Sequence, residues 1–358
     1  MSHIAWFIDI VSGRAQGIGP GGIRALLRVA SWPMVGIVAV RNAMYHRGVI
    51  RSARVTVPVV SVGNITVGGT GKTPLVAWLA GWFRRNGHCP AILSRGYGSP
   101  GPGLPNDEAI ELAMRLDGDG GGEKIPHLQN PDRVALAQRV VTEQLGDRII
   151  LDDGFQHRRL ARDLDIVLLD ATQPFGFGHL LPRGLLRESV CYLRRADVVI
   201  LTRVSAVSAE RREELHETVR RLASDAVLAE LTHRPTELMR ANGTRVPLTS
   251  LAGRPVAAFC GIGNPRAFLD ETLAECGVRR VAEWIFPDHH RWTDQWRTEL
   301  ARRVAAIPER PDAVLCTAKD IARCPDVFEL SDVPLFAVLM EIEWMTGREA
   351  LEEKLKAL

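Results

Sequence analysis

The chain has little excess of charge of either sign. Lys and Arg number 45 against 42 Asp and Glu, a formal net charge of +3 over 358 residues. That near balance leaves no electrostatic footprint for nucleic acid. Cysteine is scarce and unpatterned. The six (Cys89, Cys191, Cys260, Cys276, Cys316, Cys324) form no C-x-x-C pair and no zinc spacing. They read as the reduced thiols of a cytosolic protein. No signal peptide and no internal repeat is visible. Long apolar runs are missing too. The most apolar N-terminal stretch, 29–40, is twelve residues between Arg28 and Arg41, and it holds Pro33 and Gly36. A spanning helix needs roughly 20 residues, so the expectation is a chain that does not cross a membrane.

The same stretch can lie on a membrane. Trp6, Phe7, Leu26, Leu27, Trp32, Met34 and Ile37 supply apolar bulk, and Arg41, His46, Arg47, Arg51 and Arg54 follow as a basic cluster. An interfacial helix has that composition. A helix packed on its own domain explains it equally well. Apolar content is 46% and charged content 24%, which marks a core-forming chain. The length favours two domains.

The most informative segment is 57–74. A valine-rich run reads as a buried parallel strand, a glycine turn follows, and a helical pattern continues over 75–84. Strand, glycine loop, lysine, hydroxyl and helix form the layout of a phosphate-binding loop. The expected cradle is Thr66-Val67-Gly68-Gly69-Thr70-Gly71-Lys72-Thr73. Lys72 suits the β/γ oxygens, and the Thr73 hydroxyl suits Mg²⁺. The usual G-x-x-x-x-G-K-[ST] pattern requires Gly at 66, where this chain has Thr66. An ordinary glycine turn is the plainer explanation, but the flanks fit the phosphate loop better.

Elsewhere, strands are expected at 148–151, 165–169 and 198–201, alternating with helices at 132–145 and 209–223. One or two helices are expected at 22–47, broken near Pro33, and a short helix at 108–116 with Asn106 as its cap. Such alternation predicts an α/β fold, a phosphate-loop NTPase-like α/β/α domain with a parallel sheet. Its ligands bind at the carboxyl ends of the strands. A second, smaller α/β/α pattern follows. The predicted division is 1–225 for an N-terminal membrane-associating helix and the phosphate-loop domain, 226–253 for an extended linker, 254–330 for the small domain, and 331–358 for a return strand and terminal helix.

A kinase of this type needs an acidic strand end for Mg²⁺. Two strands qualify, one ending at Asp152-Asp153 and one at Asp170. The pair followed by Gly154-Phe155-Gln156-His157 is the preferred site, since Asp170 before Ala171-Thr172 suits a local cap. Asp107 and Glu108 stand at a helix start, where acids are favoured by the dipole alone. His289, in Asp288-His289-His290, is a polar cluster with no packing purpose and suits proton sharing with a carboxylate. Lys319 follows a strand end and reads equally as a phosphate contact or a surface residue.

Several motifs together resemble one family, tetraacyldisaccharide 4'-kinase. They are the segment 63–74, Ser94-Arg95-Gly96-Tyr97-Gly98, the Asp-Asp-Gly-Phe-Gln-His run at 152–157 with Arg158-Arg159-Leu160, and 181–188. Gly261-Ile262-Gly263-Asn264-Pro265, Asp288-His289-His290 and Thr317-Ala318-Lys319-Asp320 follow in order. The resemblance implies an ATP- and Mg²⁺-dependent enzyme, peripheral on the cytoplasmic face of the inner membrane of Gram-negative bacteria. It implies transfer of the γ-phosphoryl group to the 4'-hydroxyl of a tetraacylated disaccharide 1-phosphate in lipid A biosynthesis, with no obligatory protein partner. It also implies two domains joined by a two-stranded β linker, with the site in the cleft between them. Asp107 takes the place of the family's catalytic Asp and His289 that of its partner. Two positions depart: Asn106 and Ala109 flank Asp107 in place of Gly and Pro, and Ala318 replaces a Glu. The rival reading, a membrane-bound ATPase switch of the partitioning type, requires a lysine where this chain has Val67.

Overall fold

The computed structural model describes residues 3–96, 106–116, 124–288, 290, 292–323 and 333–358. Two helices come first, α1 (His3–Ser12) and α2 (Ile18–His46). The phosphate-loop segment follows as strand β1 (Val59–Asn64) and helix α3 (Lys72–Arg85). Next come β2 (Pro90–Ser94), α4 (Asp107–Leu116), β3 (His127–Gln129) and α5 (Arg133–Thr142). Then follow β4 (Arg148–Asp152), β5 (Leu164–Asp170), β6 (Val198–Thr202) and α6 (Ala209–Leu222). The long strand β7 (Val227–Met239) leads to β8 (Arg245–Pro247) and β9 (Pro255–Cys260). A turn of π-helix (Ala267–Thr272) runs into α7 (Leu273–Glu275), followed by β10 (Arg279–Ile285) and α8 (Asp294–Ala305). The chain ends with β11 (Ala313–Thr317), α9 (Ala318–Ala322), β12 (Leu335–Thr346) and α10 (Arg348–Lys356).

The chain forms two compact units. The first comprises Met1–Arg95, Ile125–Thr232 and Trp344–Leu358, and the second Gly96–Lys124 and His233–Glu343. Strands β7 and β12 carry the chain from one unit to the other.

In the first unit the strand order is β7-β6-β5-β1-β4-β2-β3, all parallel. Strands β1, β2, β4, β5 and β6 are almost wholly buried, as a parallel sheet covered on both faces requires. One face packs Ile65, Phe155, Val167 and Leu169 with Leu215 and Val219 of α6. The other packs Val59, Leu93 and Leu151 with Leu136 and Val140 of α5. Register places Val62 beside Asp152 and Asp170 beside Thr202, so the carboxyl ends of β1, β4, β5 and β6 share one edge.

The second unit repeats the logic on a smaller scale. Its parallel strands run β10-β9-β11-β12, with β8 antiparallel to β7. Side chains alternate along each strand. Ala257, Phe259, Val314 and Cys316 enter one core, while Val256, Ala258, Ala313 and Leu315 enter the other.

Two sequence expectations are corrected. Pro33 does not break the N-terminal helix, because 18–46 is one helix of 29 residues. Proline removes one intrahelical bond, and the turns on either side carry the helix past it. Ser31 Oγ donates to the Arg28 carbonyl in the adjacent turn, at 2.7 Å. At about 1.5 Å per residue the helix is ~43 Å long. By length and composition it is apolar enough to cross a membrane, unlike the twelve-residue run read alone. Finally, α4 belongs to the second unit and not to the phosphate-loop unit. Met114 packs on the second unit's core, and Arg115 Nη1 donates to the Met340 carbonyl at 2.6 Å.

Among the described residues Cys89, Cys191, Cys260, Cys276 and Cys316 form no disulfide. Burial pushes Cys260 and Cys276 up to about 12, so both stay protonated and inert. Cys324 lies outside the described residues.

Candidate active site

Backbone contacts fix the first half of the loop after β1. Val67 N–H donates to the Leu185 carbonyl at 2.8 Å, and Arg187 N–H to the Ile65 carbonyl at 2.8 Å. Segment 185–187 thus runs against 65–67 and fixes the loop's first half. Gly71 at the N-cap of α3 has φ 84°, a left-handed conformation that a side chain would strain. Lys72 and Thr73 then begin α3, with the positive end of the helix dipole behind them. Thr66 and Thr70 are buried. Thr70 Oγ1, and both amide atoms of Asn64 just ahead of the loop, are buried with no hydrogen-bond partner among the described residues. Orphaned polar atoms at this place are what a phosphate-bearing ligand and its water satisfy.

The acidic strand end stands beside the lysine. Asp152 closes β4 with 8% exposure. Asp153 has φ 52°, and the turn continues through Gly154, where a Cβ would lie 2.5 Å from Ser61 Oγ. That conformation aims Asp153 at two cations. Its Oδ1 is 3.4 Å from Lys72 Nζ, and Arg187 Nη1 donates to both oxygens at 2.9 and 2.7 Å. Burial alone would raise the Asp153 carboxyl, but Lys72 and Arg187 outweigh it and hold it below the usual range.

The surrounding shell is polar and tied down. Gln156 Nε2 donates to the Asn64 carbonyl and to Glu188 Oε1, both at 2.8 Å. Glu188, fully buried, also receives Arg195 at 3.0 Å and Asn42 Nδ2 at 3.2 Å. Burial and the nearby Arg133 and Arg162 push His157 down to about 4, so it is neutral at physiological pH. Asp170 accepts from Thr172 N at 3.0 Å and Thr172 Oγ1 at 2.6 Å, a local turn as its sequence suggested. It also pairs with Arg203, whose Nη2 reaches the Gly69 carbonyl at 3.0 Å.

The second unit holds the remaining candidates. Asn106 Oδ1 accepts from Ala109 N–H at 3.0 Å and caps α4. Asp107 opens that helix, and Arg323 Nε donates to its Oδ2 at 2.6 Å. Lys319 Nζ lies 3.6 Å from Asp288 Oδ1, so it is engaged with a neighbouring acid. Ala318, the position that departs from the Glu, is 4% exposed in the core. His290 stacks among Phe286, Trp292 and Trp296. Burial and Arg323 lower its basicity. His289 lies outside the described residues.

Comparison with known proteins settles the lineage. The profile of the family described as Tetraacyldisaccharide-1-P 4'-kinase matches residues 23–358. The chain belongs to the tetraacyldisaccharide-1-P 4'-kinase family. A tetraacyldisaccharide 4'-kinase from Anaeromyxobacter sp. (strain Fw109-5) is 39% identical, over 89% of this chain and 87% of that protein. Another, from Syntrophus aciditrophicus (strain SB), is 40% identical over 80% of each. Among solved structures, the "apo" form of LpxK from Aquifex aeolicus in complex with ATP matches with a TM-score of 0.73 at 27% identity. It covers 94% of this chain and 99% of that one.

Three arginines bonded to candidate site residues escaped the sequence reading. Arg187 binds Asp153, Arg203 bonds the loop at Gly69, and Arg323 bonds Asp107. Arg187 falls in a motif of the tetraacyldisaccharide-1-P 4'-kinase resemblance, but nothing in the linear order links it to Asp153. For the other two no signal exists, since an arginine's partner is set by where loops meet. Among the described residues no three His, Cys, Asp or Glu side chains converge as a metal cage. Nucleotide-borne Mg²⁺ needs only one or two protein oxygens, the rest coming from phosphates and water. The Thr73 hydroxyl and the Asp152–Asp153 carboxylates suit that need.

Proposed function

We propose that the protein is an ATP-dependent kinase that phosphorylates the 4'-hydroxyl of a tetraacyldisaccharide 1-phosphate in lipid A biosynthesis. The observation that carries the reading is Lys72, at the head of α3, paired with the strand-end acid Asp153 below a glycine loop. Family membership supplies the substrate class.

The loop amides and Lys72 hold the β/γ-phosphates. Thr73 and the Asp152–Asp153 pair hold Mg²⁺, which screens the phosphate charge when bound. Asp153 is at the same time bonded to Lys72 and Arg187, so the metal site and the phosphate-binding lysine share one carboxylate. Asp107, with His289, takes the proton of the acceptor hydroxyl. The acceptor oxygen bonds to the γ-phosphorus, the bond to the bridging oxygen breaks, and ADP leaves. Positioning and electrostatics supply most of the rate.

The lipid acceptor resides in a membrane, and α2 is the element to meet it. Leu26, Val29, Trp32, Val35, Ile37 and Val40 are exposed along it. Asn42, 2% exposed on the same helix, is bonded to Glu188 and receives Arg158 Nη1 on its carbonyl at 3.2 Å. A helix so fastened to its domain favours lying at the cytoplasmic surface of the inner membrane over crossing it.

The test is transfer of ³²P from γ-labelled ATP to the disaccharide 1-phosphate in detergent. Labelled lipid product from wild type, and about 10³-fold less from Lys72→Ala, is expected. No labelled lipid from folded wild-type protein overturns the reading.

A further inference from the structure

Arg323 follows α9 and its side chain is only 4% exposed. It is ringed by acceptors from four parts of the second unit. Nε donates to Asp107 Oδ2 at 2.6 Å, at the start of α4. Nη1 donates to the Gly261 carbonyl at 2.8 Å, at the end of β9. Nη1 and Nη2 lie 3.8 Å from Asp320 Oδ1 and Asp288 Oδ1 respectively. Asp320 is itself fixed, accepting from Gly261 N–H at 3.0 Å and Thr317 Oγ1 at 2.7 Å. The guanidinium therefore has little freedom. Asp107, in contrast, keeps 36% of its side chain exposed.

Net stability alone does not account for this arrangement. A buried ion pair adds little net stability over an apolar pair of the same volume. What a planar, multiply bonded guanidinium does well is hold a carboxylate in one rotamer. We propose that Arg323 is a positioning residue for the phosphoryl transfer: it clamps one oxygen of Asp107 and so presents the exposed edge of that carboxylate to the acceptor hydroxyl. The inference rests on Asp107 being the base. On this proposal Arg323 acts on the reaction through its bond to Asp107. A displacement of about 1 Å at a reacting group costs about 10² in rate.

The experiment compares Asp107→Asn, Arg323→Ala, Arg323→Lys and the double variant Asp107→Asn/Arg323→Ala in the transfer assay. Arg323→Ala is expected to lower kcat about 10²-fold, with KM for ATP within about 2-fold of wild type. Arg323→Lys should fall between the two, about 10-fold down, because an ammonium cannot reproduce the Nε and Nη1 bonds together. The double variant should be no slower than Asp107→Asn, since a positioned group that is gone cannot be mispositioned. Added guanidinium ion should restore part of the Arg323→Ala rate, and tetramethylammonium should not. If Arg323→Ala does not fold, Arg323→Lys carries the test through its kcat loss at unchanged KM. Multiplicative losses in the double variant, with a fall in Tm and no rescue, make Arg323 merely structural and overturn the inference. Inactive Asp107→Asn beside unimpaired Arg323→Ala overturns it alone. Active Asp107→Asn overturns the base assignment and this inference together.

Discussion

Lys72 Nζ lies 3.4 Å from Asp153 Oδ1, joining the phosphate-loop helix to the acidic end of β4. The pair sets the lysine where phosphate oxygens arrive and keeps it extended toward the strand end. Asp153→Asn removes the charge that holds Lys72 while keeping the shape. Turnover should fall about 10²-fold, and KM for ATP should change by less than about 5-fold. Steady-state kinetics at saturating lipid measures both, and an unchanged kcat would separate the pair from the chemistry.

Arg187 grips Asp153 through one nitrogen, Nη1 serving both carboxylate oxygens. A lysine ammonium is a compact donor that can do the same. Arg187→Lys should therefore keep activity within about 10-fold, while Arg187→Ala should lose about 10². Equal losses in the two variants would show that the guanidinium shape, not its charge, matters.

Membrane attachment should depend on the bare face of α2. Leu26 and Trp32 are 73% and 64% exposed. Each contributes roughly 1.5–3 kcal/mol when its side chain is buried in an apolar phase. Leu26→Ser/Trp32→Ser should lower binding to anionic vesicles by about 10²-fold or more, while turnover on a short-chain soluble acceptor persists. Co-sedimentation reads it, and a double variant that pellets like wild type would place the attachment elsewhere.

Asp165, at the start of β5, is 4% exposed. Burial pushes its carboxyl up to about 6, against the pull of Arg162. A carboxyl raised in the folded state binds its proton more tightly there than in the unfolded chain. Between about pH 4 and 6 this residue's contribution to stability therefore falls as pH rises. Asp165→Asn removes that decline. The stability difference, variant minus wild type, should rise by about 2–3 kcal/mol from pH 4 to pH 7. Urea unfolding at the two pH values measures it, and a flat difference would contradict the buried carboxylate.

Much of this architecture was legible in the sequence because its signals are local. The valine run, glycine turn and Lys72-Thr73 pair lie within one strand–loop–helix unit, and Asp152-Asp153 ends a strand of plain apolar pattern. Asn106 announced its capping role through residue type alone. Strand β10 was missed because it is an edge strand that opens on the exposed Arg279 and Arg280, and a register shift between Arg280 and Ala282 breaks its alternation. The unit to which α4 belongs was not legible, since it depends on Arg115 meeting Met340 across 225 positions. Arg323 was hidden in the same way, 216 positions from Asp107. The continuity of α2 past Pro33 was not legible, because a proline there reads as a break and the charge-bounded run 29–40 was weighed in place of the whole helix.

The central claim is that the phosphate loop drives transfer to a lipid hydroxyl and not hydrolysis of ATP. The most direct measurement is the stoichiometry of ADP release and phosphorylated lipid, followed together by ³¹P NMR with purified protein, ATP, Mg²⁺ and tetraacyldisaccharide 1-phosphate. The account predicts one new phosphomonoester on the 4' oxygen per ADP, and negligible ADP without the lipid. ADP formed at the same rate with or without lipid, and no 4'-phosphate, would contradict it.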